Sequence, residues 1–259
     1  MRLALGIEYD GRAFCGWQTQ PSGCGVEDAL EAALGSIAGH PVDVICAGRT
    51  DTGVHATGQV VHFDTAAARP ETAWTRGVNA FLPDGVSVLW CRAVGEDFHA
   101  RYAARSRTYR YLLLSRPARP GLSKGRVGWY HGPLSEVAMR EAAGLLIGEH
   151  DFSAFRAAEC QAATPVRHLT ALNLHERDGL FVFDITANAF LQHMVRNIVG
   201  ALVYVGAGRH PPSWMSEVLA SRDRRVAAPT FSPDGLYLWK VDYDPAHGLP
   251  EASPPPGPL

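Results

Sequence analysis

The order of the elements predicted from the first 93 residues constrains the fold most strongly. Alternating apolar residues predict a strand over residues 2–9, and apolar residues at helical spacing predict a helix from Val26 to Ile37. The remaining predicted elements are two strands flanking a loop that carries Gly48, Gly53 and Gly58, a helix over 69–80 and a strand over 86–93. This β-α-β-β-α-β order is that of a split, ferredoxin-like unit.

The second half of the chain approximates the same order without a detectable sequence repeat. Its predicted elements are a strand over 108–114, a helix capped by Ser135, a hairpin around Asp178-Gly179, a helix over 189–205, a shorter helix and a strand over 235–243. We therefore predict an α/β (α+β) fold of two ferredoxin-like or RRM-like subdomains, with antiparallel-rich sheets that form a central cleft.

The predicted boundaries follow from this division. The N-terminal subdomain is expected over residues 1–104 and the C-terminal subdomain over residues 105–244. Six of the 15 residues from 245 to 259 are Pro and none is basic, so this tail is predicted to be disordered.

The stretch A-G-R-T-D-T-G-V-H-A-T-G-Q-V-V-H-F at residues 47–63 has the composition of a functional loop. Arg49 and Asp51 lie two positions apart among small residues. Catalytic groups concentrate on loops that rigid strands hold in place. Local chemistry leaves a second interpretation open, in which Asp51 caps a turn and Arg49 is solvated.

Basic residues are concentrated between Phe98 and Arg126, where eight Lys or Arg residues occur without an Asp or Glu, although the net charge of the chain is −2. Such local charge favours contact with nucleic acid. Tyr109 and Tyr111 alternate with arginines on one predicted strand, which suits base stacking, but both fit equally well as core residues. The candidate nucleic-acid-binding residues are Arg101, Arg105, Arg107 and Arg110.

Arg196 interrupts an otherwise apolar or neutral helix in the segment Asn188–Gly200. A buried guanidinium is costly unless a carboxylate pairs with it, and this segment offers none at helical spacing. Asp51 is the candidate partner, because an adjacent arginine favours the ionised form that a nucleophile requires. The alternative is that Arg196 extends to solvent.

Other residue patterns exclude several classes of function. The five cysteines are odd in number and scattered, so reduced thiols in a cytoplasmic protein are expected. No metalloprotease, zinc-deaminase or dinucleotide motif occurs. Glu8 and Asp10 interrupt the N-terminal apolar stretch too early for a signal peptide.

The motif R-T-D-x-G-V-H-A-x-x-Q at residues 49–59 resembles the active-site loop of the tRNA pseudouridine synthase A (TruA) family. The resemblance spans nearly the whole chain, through Tyr9-Asp10-Gly11, Asp97–Arg101, Tyr109-Arg-Tyr111, Gly148–Ser153, Asn188–Gly200 and Asp234-Gly-Leu-Tyr-Leu. It implies an isomerase that converts uridine to pseudouridine at positions 38–40 of the tRNA anticodon arm. It also implies a homodimer in which one tRNA contacts both subunits, with no cofactor and no metal.

The same resemblance implies a role for four residues. Asp51 is expected to be the catalytic nucleophile and Arg196 to pair with it. Tyr109 is expected to lie against the target uracil, and Arg49 to assist in turning the nucleotide out of its stack. Two alternatives from other classes are a non-catalytic RNA-binding module, which leaves Asp51 idle, and a Cys/His metal-dependent hydrolase, which predicts bound metal.

Overall fold

The computed structural model of the protein describes residues 1–252 and 254, and they form strands and helices in nearly the predicted order. The strands in this part of the chain are β1 (Arg2–Tyr9), β2 (Ile45–Cys46), β3 (His55–Asp64), β4 (Val86–Val94), β5 (Ser106–Ser115), β6 (Gly128–Tyr130), β7 (Gly148–Asp151), β8 (Val166–Arg177), β9 (Leu180–Ala187) and β10 (Leu236–Asp242). The α-helices are α1 (Val26–Ala38), α2 (Glu136–Gly144), α3 (Met194–Gly206) and α4 (Trp214–Ser221). A π-helical turn, Ala73–Gly77, lies where a helix was predicted over 69–80.

The chain divides into two units. The first contains Met1–Arg105 and the described chain from Tyr237 onward, and the second contains Ser106–Leu236. The sequence prediction placed residues 237–244 in the second subdomain, whereas Tyr237 lies opposite His55 in a parallel pairing with β3 of the first unit. The order of elements along a chain does not specify which strand a C-terminal strand joins, which is why the sequence could not reveal this assignment.

The first unit has an antiparallel sheet in the order β4-β1-β3, and β2 also pairs with β3. The helix predicted after residue 25 is confirmed as α1. The backbone N–H of Gly25 donates to the Asp28 carboxylate at 2.8 Å, which caps the start of α1. Gly39 ends it in a left-handed conformation with φ of 76°.

The second unit has an antiparallel sheet in the order β5-β9-β8-β7, with β6 parallel to β5. The backbone N–H of Ala138 donates to Ser135 Oγ at 3.3 Å, so the predicted cap of α2 is confirmed. Helix α3 begins at Met194, five residues later than the prediction of residue 189. His193 adopts a left-handed conformation with φ of 62°, which prevents the helix from extending further toward the N-terminus.

The tail is ordered at its start, so the prediction of disorder from residue 245 is wrong there. Pro245–His247 form a 3₁₀ helix whose first turn is capped by the Asp244 carboxylate, which accepts a hydrogen bond from Ala246 N at 2.9 Å. The His247 ring lies 5.1 Å from the Phe98 ring, and Leu249 packs against the same apolar cluster. These contacts supply the burial that the proline-rich composition did not suggest. Residues 253 and 255–259 of the predicted tail lie outside the described residues.

The observed architecture confirms the predicted α/β class with antiparallel-rich sheets. Within residues 1–252 and 254, none of the helices combines the length and the apolar character needed to cross a bilayer.

Candidate active site

The Asp51 loop (residues 47–54) connects β2 to β3 in the first unit. The sequence predicted a loop here that extends to Gly58, whereas β3 already begins at His55. Its ends are held by the backbone, because Ala47 N donates to Val60 O at 2.8 Å and Val54 N donates to Asp51 O at 3.1 Å. Arg49 is exposed and Asp51 is half-buried. Between them, Thr50 is only 7% exposed, so the middle of the loop is anchored in the protein while its two charged residues remain accessible.

A polar network from β1 and β3 holds the inner side of the Asp51 loop. The Tyr9 hydroxyl lies 2.7 Å from Thr50 Oγ1. The Gln59 side chain donates to Gly48 O at 2.6 Å and accepts from Gly48 N at 3.3 Å, and Gln59 is completely buried. Buried polar groups that are fully hydrogen-bonded restrict the backbone to one conformation.

The segment from Cys15 to Trp17 holds the outer side of the same loop. Trp17 N donates to Thr50 O at 2.9 Å, and Thr52 Oγ1 donates to Cys15 O at 2.9 Å. Gly16 lies between these contacts with φ of 101°, and a Cβ atom there would be 2.9 Å from Thr50 O. Only glycine allows this close approach without displacing the loop.

Cys15 and Cys24 form a disulfide with their Cα atoms 5.4 Å apart. The prediction that all cysteines are reduced is therefore wrong for this pair. A turn brings the two residues together, with Gly23 N donating to Gln20 O at 2.8 Å and Cys15 N donating to Cys24 O at 2.9 Å. Their sequence separation alone gave no sign of this turn. The other three cysteines, Cys46, Cys91 and Cys160, are thiols.

His55, at the start of β3, is a buried site neighbour that the sequence analysis did not single out. Its Nδ1 accepts a hydrogen bond from Gly11 N at 3.2 Å, and its ring stacks on Tyr237 with centroids 4.6 Å apart. The Asp10 carboxylate lies 3.3 Å from the same nitrogen. Burial opposes ionisation of Asp10, but hydrogen bonds from Arg12 outweigh it and lower the pKa of that carboxyl group below 3.8. A histidine between the apolar residues Val54 and Ala56 is the sequence signal for this contact.

The two tyrosines of β5 in the second unit have different surroundings. Tyr111 is completely buried, its hydroxyl donates to Ser232 O at 2.8 Å, and burial raises its pKa well above 10. The sequence left open whether Tyr111 stacks on bases or belongs to the core, and the structure places it in the core. Tyr109 is 8% exposed and its ring meets the Phe190 ring edge to face, with centroids 5.0 Å apart and planes at 82°.

Arg196 lies in the first turn of α3 and is half-buried. Its Nε donates to Phe231 O at 2.8 Å, and Phe231 N donates back to Arg196 O at 3.3 Å. The neighbouring Asn197 is completely buried and donates to Phe155 O at 2.7 Å. The start of α3 is thus fixed to two other segments of the second unit.

The arginines predicted to bind nucleic acid have several protein partners. Arg110 donates to both carboxylate oxygens of its cross-strand neighbour Asp184, at 2.7 and 2.6 Å. Arg107 is 9% exposed and donates to a backbone carbonyl at 2.9 Å, and Arg105 forms an ion pair with Asp244. Arg101 is exposed. The basic stretch therefore has acidic neighbours in the folded protein, Asp184 and Asp244, although it contains no acidic residue itself.

Comparison with known proteins gives the family. A family model described as tRNA pseudouridine synthase matches residues 6–103 and 142–244. The chain is 61% identical over 251 residues to the tRNA pseudouridine synthase A of Dechloromonas aromatica (strain RCB), covering 97% of this chain and 96% of the relative. It is also 61% identical over 252 residues to the protein of the same name from Chromobacterium violaceum, covering 96% of each. The chain belongs to the tRNA pseudouridine synthase A family.

Members of the tRNA pseudouridine synthase A family are isomerases, and this chain is an enzyme of that class. The Asp51 loop and Arg196 lie inside the matched residues, whereas Tyr109 lies between the two matched segments. Among residues 1–252 and 254, His, Cys, Asp and Glu side chains form no cluster of three or more that could hold a metal ion. Arg49 and Asp51 stand out in the sequence, whereas the hydrogen bonds from Tyr9, Gln59 and Cys15 that hold their loop do not.

Proposed function

We propose that this enzyme isomerises uridine to pseudouridine at positions 38–40 of the tRNA anticodon arm, with Asp51 as its nucleophile. The observation that carries the proposal is the position of Asp51. It is the half-buried carboxylate of a loop that two sets of hydrogen bonds hold rigid, in a chain of the tRNA pseudouridine synthase A family. A carboxylate on a loop whose backbone is held in one conformation suits attack on a bound nucleoside.

The chemistry requires no net redox change. The C1′–N1 glycosidic bond breaks, the uracil rotates, and a new bond joins C1′ to C5. The hydrogen on C5 leaves as a proton and N1 gains one, so substrate and product are isomers. A carboxylate can form a covalent intermediate or stabilise oxocarbenium-like charge in such a reaction. Because the target is stacked in the RNA, the nucleotide must first be turned outward.

The roles expected for Tyr109, Arg49 and Arg196 remain part of this proposal. Tyr109 is fixed edge-on by Phe190, which leaves its ring suited to lie against a flat base. Arg49 is exposed on the Asp51 loop and suits contact with the phosphate beside the extruded nucleotide. Arg196 stays the predicted counter-ion of Asp51.

The prediction for Arg196 can be tested through its charge. If the positive charge of Arg196 assists Asp51, Arg196→Gln should lower kcat/KM, and Arg196→Lys should restore most of it. An equal loss of kcat/KM in Arg196→Gln and Arg196→Lys would mean that Arg196 acts in another way.

We further propose that the enzyme is a cytoplasmic homodimer and that one tRNA contacts both subunits, as the family resemblance implies. Analytical ultracentrifugation of the purified protein should give twice the mass of one chain. Sedimentation as a monomer at micromolar concentration would contradict the dimer without affecting the proposed reaction.

The central experiment is incubation of Asp51→Asn with an unmodified tRNA transcript, followed by mapping of pseudouridine. We expect at least a thousandfold loss of rate, as for other removed nucleophiles. Asp43→Asn is the matched control, because Asp43 is an exposed acid of the same unit that lies outside the loop. Pseudouridine at normal rates in Asp51→Asn would exclude Asp51 as nucleophile and favour a protein that binds RNA without using this residue.

A further inference from the structure

The turn formed by residues 99–103 exposes an aromatic ring that the proposed reaction does not use. Tyr102 is 76% exposed, compared with 59% for Phe81 and 38% for Trp129. A large ring this accessible costs free energy in contact with water. Exposed aromatic side chains beside positive charge are a common means of binding unpaired bases of RNA.

The ring of Tyr102 is held in place by His99. It packs against the His99 ring with centroids 4.3 Å apart and planes at 34°. The backbone N–H groups of Arg101 and Tyr102 both donate to His99 Nδ1 at 3.2 Å, and Ala103 N donates to His99 O at 2.9 Å. Because His99 accepts at Nδ1, its neutral ring carries the proton on Nε2. A ring that is fixed before binding loses little conformational entropy when a ligand stacks on it.

Positive charge lies over this ring. The Arg101 guanidinium carbon is over the Tyr102 ring, 5.6 Å from its centre, and Arg101 is exposed. An arginine in that position can contact a phosphate while the ring contacts the adjoining base.

The turn is packed against the base of the Asp51 loop. Ala100 and Ala47, the first residue of that loop, belong to one buried cluster. The positive charges of Arg49 and Arg101 also both influence the pKa of the buried Cys46 thiol. Burial raises the pKa of Cys46 to about 12, and the charges of both arginines oppose that rise. The turn that carries Tyr102 and the loop that carries Asp51 therefore meet in the interior of the first unit.

We propose that the exposed ring of Tyr102 stacks on an unpaired nucleobase of the RNA substrate, with Arg101 at the neighbouring phosphate. This inference rests on the proposed function and adds a binding residue to it. Tyr102 contributes to the binding of RNA and not to the chemical step. Its ring is the essential feature, and its hydroxyl is not.

The experiment compares Tyr102→Ala, Tyr102→Phe and Arg101→Gln with the wild-type enzyme. The matched control is Phe81→Ala, since Phe81 is another exposed aromatic residue of the first unit. The measurements are the Kd for an unmodified tRNA transcript at several salt concentrations and the single-turnover rate of pseudouridine formation at saturating tRNA.

We expect Tyr102→Ala to raise Kd at least about fivefold, as for loss of one stacked base. Its salt slope and its saturated rate should stay unchanged. Tyr102→Phe and Phe81→Ala should bind like the wild type, and Arg101→Gln should reduce the salt slope by about one. An unchanged Kd in Tyr102→Ala, or an equal loss in Tyr102→Phe or Phe81→Ala, would overturn the proposal.

Failure of this inference and failure of the proposed function give different results. If the wild type converts uridine and Tyr102→Ala binds as well as it does, only the stacking role is wrong. If the wild type binds RNA without forming pseudouridine, the proposed function is wrong, whereas weaker binding by Tyr102→Ala would still support the stacking site.

Discussion

Tyr9 Oη lies 2.7 Å from Thr50 Oγ1, and Thr50 is the residue immediately before Asp51. Tyr9 ends β1, so this single hydrogen bond connects the sheet of the first unit to the loop that carries the proposed nucleophile. Both residues are buried, which shields the bond from competition with water. The position of the Asp51 carboxylate therefore depends on a side chain more than forty residues away in the sequence.

Replacing Tyr9 with Phe removes this bond and leaves the ring in place. We expect kcat to fall about tenfold, because displacement of a catalytic group by a fraction of an ångström has effects of this order. The free energy of unfolding should fall by only about 1 kcal/mol. Tyr243→Phe is the control, since it removes a hydrogen bond to Ala100 O in the same unit without touching Thr50. A similar loss of kcat in both variants, measured at saturating tRNA, would argue against a specific effect on the loop.

A substitution at Gly16 tests the contacts on the outer side of the Asp51 loop. Gly16→Ala places a Cβ atom 2.9 Å from Thr50 O and 3.2 Å from the Asp51 carbonyl carbon, at a φ of 101°. We expect it to destabilise the fold by about 1–3 kcal/mol and to lower kcat. Gly23→Ala provides the comparison, because Gly23 also has positive φ but no atom lies within 4 Å of its Cβ position. Gly23→Ala should therefore lose some stability and keep kcat, as steady-state kinetics and chemical denaturation would reveal.

These two contacts illustrate what the sequence could and could not predict about the site. The loop was recognisable because a cation and a carboxylate lie among glycines between two strands. Its support comes from Tyr9, Gly16 and Gln59, whose contacts depend on tertiary packing. Of the three, Gln59 carried a local signal, because it is a polar residue directly before the apolar pair Val60-Val61.

The differences in the fold have similar physical causes. Helix α3 begins late because His193 adopts a left-handed conformation, which the apolar periodicity of Val195, Ile198 and Leu202 does not encode. The basic stretch appeared unopposed because its acidic partners, Asp184 and Asp244, are distant in sequence. Pairing between residues that are distant along the chain cannot be predicted from the local pattern of a single sequence.

His62 makes stability depend on pH. It is 2% exposed, its Nδ1 accepts from Ala100 N at 3.1 Å, and burial, with smaller effects from His99 and Arg2, lowers its pKa to about 4. The unfolded chain binds this proton near pH 6.5, so the stabilisation is complete above that pH and is lost as pH falls toward 4. We expect a loss of up to about 3 kcal/mol over this range.

Urea denaturation at pH 7 and pH 4.5 measures this loss directly. His62→Gln can still accept from Ala100 N but does not titrate, so its stability should vary less with pH. His168→Gln is the control, because His168 is exposed in the second unit and its replacement should leave the pH dependence of the wild type intact. Equal pH dependence in His62→Gln and the wild type would show that other groups are responsible.

The disulfide between Cys15 and Cys24 gives the last prediction. It closes a short loop, and Cys15 O accepts hydrogen bonds from Thr52 Oγ1 and Gln20 Nε2, both at 2.9 Å. Closure of a loop this short stabilises a fold by about 2–3 kcal/mol in the chain-entropy model. Dithiothreitol, or a Cys24→Ser substitution, should therefore reduce the free energy of unfolding by about that amount. Activity should fall as well, because the Thr52 contact then holds the Asp51 loop less firmly.

Thiol labelling measures the state of this pair before stability is compared. Iodoacetamide added to the denatured, unreduced protein should modify three of the five cysteines, Cys46, Cys91 and Cys160. Cys160→Ser is the matched control, since Cys160 is a half-buried thiol outside the disulfide and its replacement should change neither stability nor the response to dithiothreitol. Modification of all five cysteines without reductant would show that the bond is absent in the purified enzyme. In that case, the Thr52 contact with Cys15 must hold the outer side of the loop without a covalent link.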